Sequence, residues 1–254
     1  MIPAIRRQKL LDLLKDHKLL FLPDIIEAMD SSESTVRRDL KALAKSGEVE
    51  LLRGGGVQLP KRAVEMNIQV KMQLNKNEKL RIASAASRMV HPGDIIFLDP
   101  SSVNFLLIDF LPVEHVTVVT NSITNMNKLL EKNIPCIMIG GQIKHSTSSC
   151  VGPMAERMLR ELRFSKCFLG ANGIDRAAGL TNHDPREQSI KHLAIDHSAV
   201  TYFLIESLKL GIVAMCKVAG VDEHTVITDR ELEGMEDLHN IIVAEEEPTA
   251  EEEA

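Results

Sequence analysis

The sequence predicts an α/β protein in two unequal parts: a small helical head closed by a short β-hairpin, then a larger body on a mostly parallel sheet. Three features predict it. Apolar residues in the first segment recur at helical spacing, a Gly54-Gly55-Gly56 turn follows, and from about Glu78 short apolar runs alternate with helical stretches.

At 254 residues the chain has room for a small domain plus a medium one. A 44 % hydrophobic and 26 % charged composition is that of an ordinary globular protein. No apolar run approaches the ~20 residues that span a bilayer. The segment Met1 to Lys9 lacks the apolar core of a signal peptide, so a cytoplasmic location is expected. Cys136, Cys150, Cys167 and Cys216 form no Cys-x-x-Cys pair and read as buried thiols in a reducing compartment; no zinc site and no cofactor is expected. With no Trp and one Tyr, the chain lacks an aromatic platform for single-stranded nucleic acid. Charge is unevenly divided. Residues 1–62 hold 12 Lys and Arg against 9 Asp and Glu, a surplus of +3, so the rest carries −9 of the total −6. A weakly basic head on an acidic body suits nucleic-acid binding at one end only.

In the head, Leu10, Leu13 and Leu14 give the stripe of a first helix between Arg6 and Asp16. A second helix starts at Pro23, a favoured first helical position, and presents Ile25, Ile26 and Met29. Ser32 is an N-cap candidate for a third helix, its hydroxyl taking the free amides. That helix buries Val36, Leu40, Leu43 and Ala44, and Gly47 ends it. Val49, Leu51 and Leu52 predict a strand, and Val57 and Leu59 its return. Lys61 to Asn77 is polar and reads as a link between domains; the expected division is 1–58, a linker at 59–77, a body at 78–243 and an acidic disordered tail at 244–254.

The body's strand candidates are Ile95–Leu98, Val116–Val119, Cys136–Ile139, Cys167–Leu169, Thr201–Ile205, Thr225–Ile227 and Ile241–Val243. Helical stretches at Glu78–Met89, Ile123–Glu131 and Arg186–Asp196 fall between them. In such sheets ligands bind beyond the carboxyl ends of the strands. Those positions are polar or glycine: Asp99-Pro100-Ser101-Ser102, Thr120-Asn121-Ser122, Gly140-Gly141, Gly170-Ala171-Asn172-Gly173 and Glu206 to Lys209. Backbone amides and hydroxyls after Asp99 suit an anion or a sugar oxygen, or equally a simple capped turn.

Opposite its core stripe the third helix carries Ser34, Arg37, Arg38, Lys41 and Lys45. Its first turns, with Ser34, Thr35, Arg37 and Arg38, match the part of a recognition helix that meets base edges or phosphates. A merely solvated charged face is the alternative.

The run Ser32-Glu33-Ser34-Thr35-Val36-Arg37-Arg38-Asp39-Leu40, with Gly47 and Gly54-Gly55, resembles the signature of DeoR-type repressors. The resemblance implies a winged helix-turn-helix, its helix-turn-helix at about 21–40, bound to double-stranded operator DNA. Arg53 stands where the wing usually has histidine and is expected to contact phosphate, whereas Asp39 is expected to position Arg38 or cap a neighbouring element. Farther on, Thr120-Asn121-Ser122, Gly140-Gly141, Gly152, Phe168 to Asp175, Gly179-Leu180-Thr181, Lys191, Lys209 and Thr228-Asp229 resemble the DeoR-type sugar sensor in order and spacing. That implies a fold related to ribose-5-phosphate isomerase and a phosphorylated sugar effector. It further implies that Asp99 and Asn121 meet sugar hydroxyls, that Ser101, Ser102, Gly140 and Gly141 hold an oxyanion, that Asn172 joins the site and that Lys209 pairs with phosphate. Pro100 departs from the family pattern and removes one amide donor. A homodimer or homotetramer is expected, because operators read by such heads are commonly two-fold. Two other classes remain: a sugar-phosphate isomerase, for which Asn172 is no base and Asp175 lies three residues on, and an effector-independent DNA binder.

Overall fold

The structure, a computed structural model, describes residues 3–15, 17, 19–46, 48–52, 55–59, 67–112 and 115–245. The expected roles of Gly47, Arg53 and Gly54 and the tail from 246 onward lie outside the described residues.

Three helices make the head: α1 (Pro3–Lys15), then after strand β1 (Leu20–Phe21) α2 (Leu22–Met29) and α3 (Glu33–Lys45). Leu10, Leu14, Ile25, Met29, Val36, Leu40 and Leu43 form one buried cluster between them, as their three- and four-residue spacing requires. Ala44, expected in that core, is only half-buried. Asp30 takes a left-handed conformation at φ 44 and closes α2. The Ser32 hydroxyl does not cap α3 through its amides; it lies 2.8 Å from Thr35 Oγ1 instead. Buried Asp39 does not position Arg38. It accepts Arg6 Nη2 at 3.2 Å and also Arg6 Nε, clamping α3 to α1. The wing strands β2 (Glu50–Leu51) and β3 (Gly56–Gln58) pair antiparallel, and β1 adds on the other side of β3.

Next come α4 (Ile68–Gln73) and α5 (Lys76–Ser87), inside or overlapping the segment read as a linker. Its polar composition hides one apolar anchor: Ile68 is buried, its amide donates to Ser146 O at 2.9 Å, and Asn67 caps α4 by accepting Gln69 N.

The body runs β4 (Ile95–Leu98), α6 (Ser102–Leu107), β5 (Thr117–Thr120), α7 (Ile123–Glu131), β6 (Cys136–Met138), β7 (Gln142–Lys144), β8 (Ser149–Val151) and α8 (Pro153–Arg160). It continues with β9 (Phe164–Leu169), β10 (Gly173–Asp175), β11 (Gly179–Asn182), α9 (Pro185–Asp196), β12 (Ser198–Ile205), β13 (Cys216–Ala219), β14 (Thr225–Thr228) and β15 (Ile241–Val243). Seven parallel strands form the main sheet in the order β15-β14-β12-β9-β4-β5-β6. All seven strand candidates of the body are therefore in it. Both faces of the central strands are covered, so their middles are apolar. Ile96, Leu98 and Phe168 pack under α5, α6 and α7, whereas Phe97, Cys167 and Leu169 pack under α8, α9 and the antiparallel sheet β10-β11-β13. Cys150, Cys167 and Cys216 are buried and Cys136 half-buried, all four unpaired, and burial pushes Cys167 up to about 11.

From β4 the chain moves outward through β5 and β6; from β9 it moves the other way through β12, β14 and β15. The switch point therefore lies between β4 and β9, where the strand-end loops part and leave a crevice.

The glycine pair at 140–141 has a packing role at one of its two positions. A Cβ on Gly141 would stand 2.8 Å from Val151 O and 3.0 Å from Ala155 Cβ, whereas one on Gly140 would meet nothing within 4 Å. Gly141→Ala is expected to cost about 1–3 kcal/mol in urea unfolding. Gly140→Ala is expected to stay within about 0.5 kcal/mol of the parent.

Candidate effector cleft and DNA-binding surface

At the switch point a cleft, open at its mouth, is walled by the loops after β4 and β9, the first turns of α9 and one face of α4. Its floor is an ion pair. Asp99, 2 % exposed, receives Lys191 Nζ on Oδ2 together with Gly170 N at 2.9 Å. Its Oδ1 accepts Ser101 N at 3.1 Å and Asn104 Nδ2 at 2.7 Å. Four donors fill the acceptor positions of one carboxylate. Asp99 thus binds β4, β9, α6 and α9 together through four protein donors, while still lining the cleft. Gly170 permits this closeness, since a Cβ there would sit 2.6 Å from Ser101 Cβ.

A second buried carboxylate, Glu187, forms one wall. It accepts Thr147 Oγ1 at 2.7 Å and Asn182 Nδ2 at 3.0 Å, and Lys144 Nζ stands 3.3 Å away. Beside it Arg186, and then Lys144, hold Asp184 well below the usual carboxylate range against the opposing effect of burial. Asn121 is different. Its Nδ2 donates to Cys150 O at 2.9 Å, which fixes the amide orientation, and its buried Oδ1 has no hydrogen-bond partner among the described residues. Lys209 lines the same cleft with its Nζ 3.4 Å from Glu206 Oε1. Ser101 Oγ accepts Asn104 N as the cap of α6, so that hydroxyl retains its proton as a donor.

On the head, Ser34, Arg37, Arg38 and Lys41 are exposed along one side of α3, and Thr35 is half-buried against Ser32. Arg37 Nε donates to Glu33 Oε1 at 2.7 Å, both side chains 58 % exposed. Such an exposed pair contributes little stability and leaves the guanidinium open to solvent.

Residues 6–62 match the DeoR-like helix-turn-helix domain, and residues 74–230 match the DeoR C terminal sensor domain. The chain belongs to the DeoR family of transcriptional regulators. This DeoR-family chain is 32 % identical over 229 residues to the uncharacterized HTH-type transcriptional regulator FruR of Bacillus subtilis, covering 90 % of this chain and 91 % of that one. It is 32 % identical to the lactose phosphotransferase system repressor of Lactococcus lactis, over 80 % and 82 % of the two chains. With the L-fucose operon activator of Haemophilus influenzae it shares 28 %, over 82 % and 85 %. These relatives are named regulators, the class that the sequence placed ahead of an isomerase. Among solved structures, ribose 5-phosphate isomerase A of Methanocaldococcus jannaschii overlaps 54 % of this chain and 55 % of its own at a TM-score of 0.41 and 19 % identity. No helix among the described residues is long and apolar enough to cross a membrane.

In this regulator Asp99, Ser101, Ser102, Asn121, Asn172 and Lys209 all line the cleft, whereas Gly140 and Gly141 do not. Asn172 Oδ1 accepts His183 N at 3.3 Å. Asp175, weighed as an isomerase base, caps the turn at Ala177 and Ala178 instead. Sequence reasoning gave no role to Lys191 and missed Glu187, Asn182, Thr147, Ile68 and Lys71. A signal existed for two of them: Glu187 and Lys191 share α9's buried face with Ile190 and Ala194, and a charge at a core position needs an internal partner. Lys191→Met, which strands the Asp99 carboxylate, is expected to cost about 3–5 kcal/mol in denaturant unfolding.

Proposed function

We propose that this DeoR-family regulator represses a carbohydrate-utilisation operon and that a phosphorylated sugar in the switch-point cleft controls its grip on operator DNA. The observation that carries the reading is that Asn121, whose buried Oδ1 has no partner among the described residues, lines the same cleft as the cation Lys209. A buried acceptor without a partner costs about 1–3 kcal/mol, which a ligand hydroxyl recovers by donating to it. Ser101, Ser102 and Asn172 add hydroxyl and amide groups for further sugar oxygens, and Lys209 supplies a cation for phosphate. The apparent carboxylate cluster argues for binding rather than chemistry: Asp99 is saturated and Glu187 is engaged by Thr147, Asn182 and Lys144, so neither is poised as a general base. The name of the Lactococcus lactis relative, a lactose phosphotransferase system repressor, supports repression of a sugar system.

On the head, Ser34, Thr35, Arg37, Arg38 and Lys41 form the operator-reading surface, Arg53 adds a wing contact, and a homodimer or homotetramer presents two heads to a two-fold operator. Effector control requires that the sugar bind one arrangement of the heads better than another.

The test is a gel-shift titration of the full chain on its own upstream DNA, with and without a panel of pentose and hexose phosphates. One sugar phosphate is expected to change operator affinity several-fold; tight DNA binding indifferent to every compound would overturn the sensor assignment and leave the head standing. Arg37→Ala is expected to weaken operator binding by about 1–3 kcal/mol with relaxed sequence preference if it reads a base. A uniform loss with a salt slope lower by about one would place it on phosphate.

A further inference from the structure

Helix α8 has an open apolar flank. It buries Ala155 and Leu159 with Val119 and Ile139 of the main sheet. On its other side Met154, Arg157, Met158 and the C-cap residue Glu161 fall at i, i+3, i+4 and i+7. All four are exposed, Met154 at 65 % and Met158 at 40 %. α9 packs against α8 from the side of β9 and β12, so the methionine flank turns the other way, toward β6 at the end of the sheet. There Ile137 is 41 % exposed, on the same face of β6 as Ile139. One exposed apolar side chain is ordinary; three gathered at one edge mark a contact surface.

The charges of α8 differ between its flanks. Glu156 and Arg160 stand in the order that favours an ion pair one turn apart, and Arg160 Nη2 lies 3.9 Å from Glu156 Oε2. Arg157 and Glu161 stand in the reverse, less favourable order and have no ion-pair partner among the described residues. The open flank therefore displays a cation and an anion one turn apart beside two methionines.

Such a stripe is complementary to itself when a second copy runs antiparallel. With a two-fold axis at Met158, Arg157 of one subunit and Glu161 of the other stand two residues apart along the helix direction, about 3 Å. Symmetry repeats that pair, and Met158 meets its own counterpart on the axis. Strand addition at the same edge is disfavoured, because β6 has three residues and follows Pro135.

We propose that α8, with Ile137 of β6, is the surface through which two copies of this chain associate, their α8 helices packed antiparallel across a two-fold axis near Met158. This rests on the two-fold assembly inferred for operator binding and adds the surface that makes it. A second copy fits better than a foreign partner because the stripe supplies both members of each ion pair and both halves of the apolar contact. Methionine suits such a contact, since its unbranched, polarisable side chain adapts to a facing copy of itself. No residue of α8 lines the effector cleft, so association and effector binding use different side chains.

The experiment measures the mass of the full chain by sedimentation over a concentration series. It compares the parent with Met158→Asp, with Arg157→Glu, and with Arg157→Glu combined with Glu161→Arg. The three positions are exposed, so circular dichroism is expected to match the parent in every variant. Met158→Asp sets two carboxylates together on the axis and is expected to weaken association about a hundredfold or more. Arg157→Glu places like charges opposite each other and is expected to weaken it about tenfold, while the double variant returns to within about threefold of the parent. Loss of one such surface halves the assembly, a dimer to monomers or a tetramer to dimers. Parental association in Met158→Asp, or a double variant no better than Arg157→Glu, would overturn the α8 interface alone and leave assembly to another surface. A parent chain that sediments as a monomer throughout would overturn the two-fold assembly and this inference with it.

Discussion

A carboxylate removed from water is tolerated only when charge and hydrogen bonds replace what solvation supplied. Asp99 meets that demand with a lysine from α9, a backbone amide from the end of β9, and an amide and a side-chain amide from its own loop and α6. These partners come from the two strands that flank the switch point and from helices on both faces of the sheet. The requirement to satisfy one buried charge therefore fixes how far apart the strand ends stand, and with it the width of the cleft. Gly170, which admits no side chain between the loops, and Asn104, whose Nδ2 also reaches Phe168 O at 2.7 Å, belong to the same constraint.

The rest of the cleft follows the same logic of neutralised charge. Lys144 lies between Glu187 and Asp184, and Glu206 lies between Lys79 and Lys209. Interior ion pairs of this kind contribute little net stability but hold geometry, because displacing one member leaves the other uncompensated. Against that background some acceptors are left without a partner among the described residues, the Oδ1 atoms of Asn104, Asn121 and Asn125. The DNA-binding head is built the opposite way. Among the described residues its core is apolar apart from the Asp39–Arg6 clamp, and Arg37, Arg38 and Lys41 are exposed on α3 with only the weak Glu33 pair at Arg37.

Much of this was legible before any coordinates. The seven parallel strands of the body announce themselves as short apolar runs because both faces of the sheet are covered. The spacing of Leu10, Leu14, Val36, Leu40 and Leu43 likewise announces the head's core. α4 escaped, since a six-residue helix with a single buried Ile68 has no periodicity to read and is held by tertiary contacts. The short β1 escaped for the same reason, being defined by its partner β3.

Sequence alone determined the order of elements, the α/β class, the basic face of α3 and the polar loops at the strand ends, because each depends on the local pattern of residue type. Only the tertiary structure decided which of those loops meet. It brought Asp99 to Lys191 across 92 positions and made the pair the floor of the cleft. It also left Gly140 and Gly141 outside the cleft and set Glu187 and Lys71 in its walls. The physical reason is that a hydrogen bond or ion pair is satisfied by whatever group lies within about 3 Å, and no distance along a chain specifies that group.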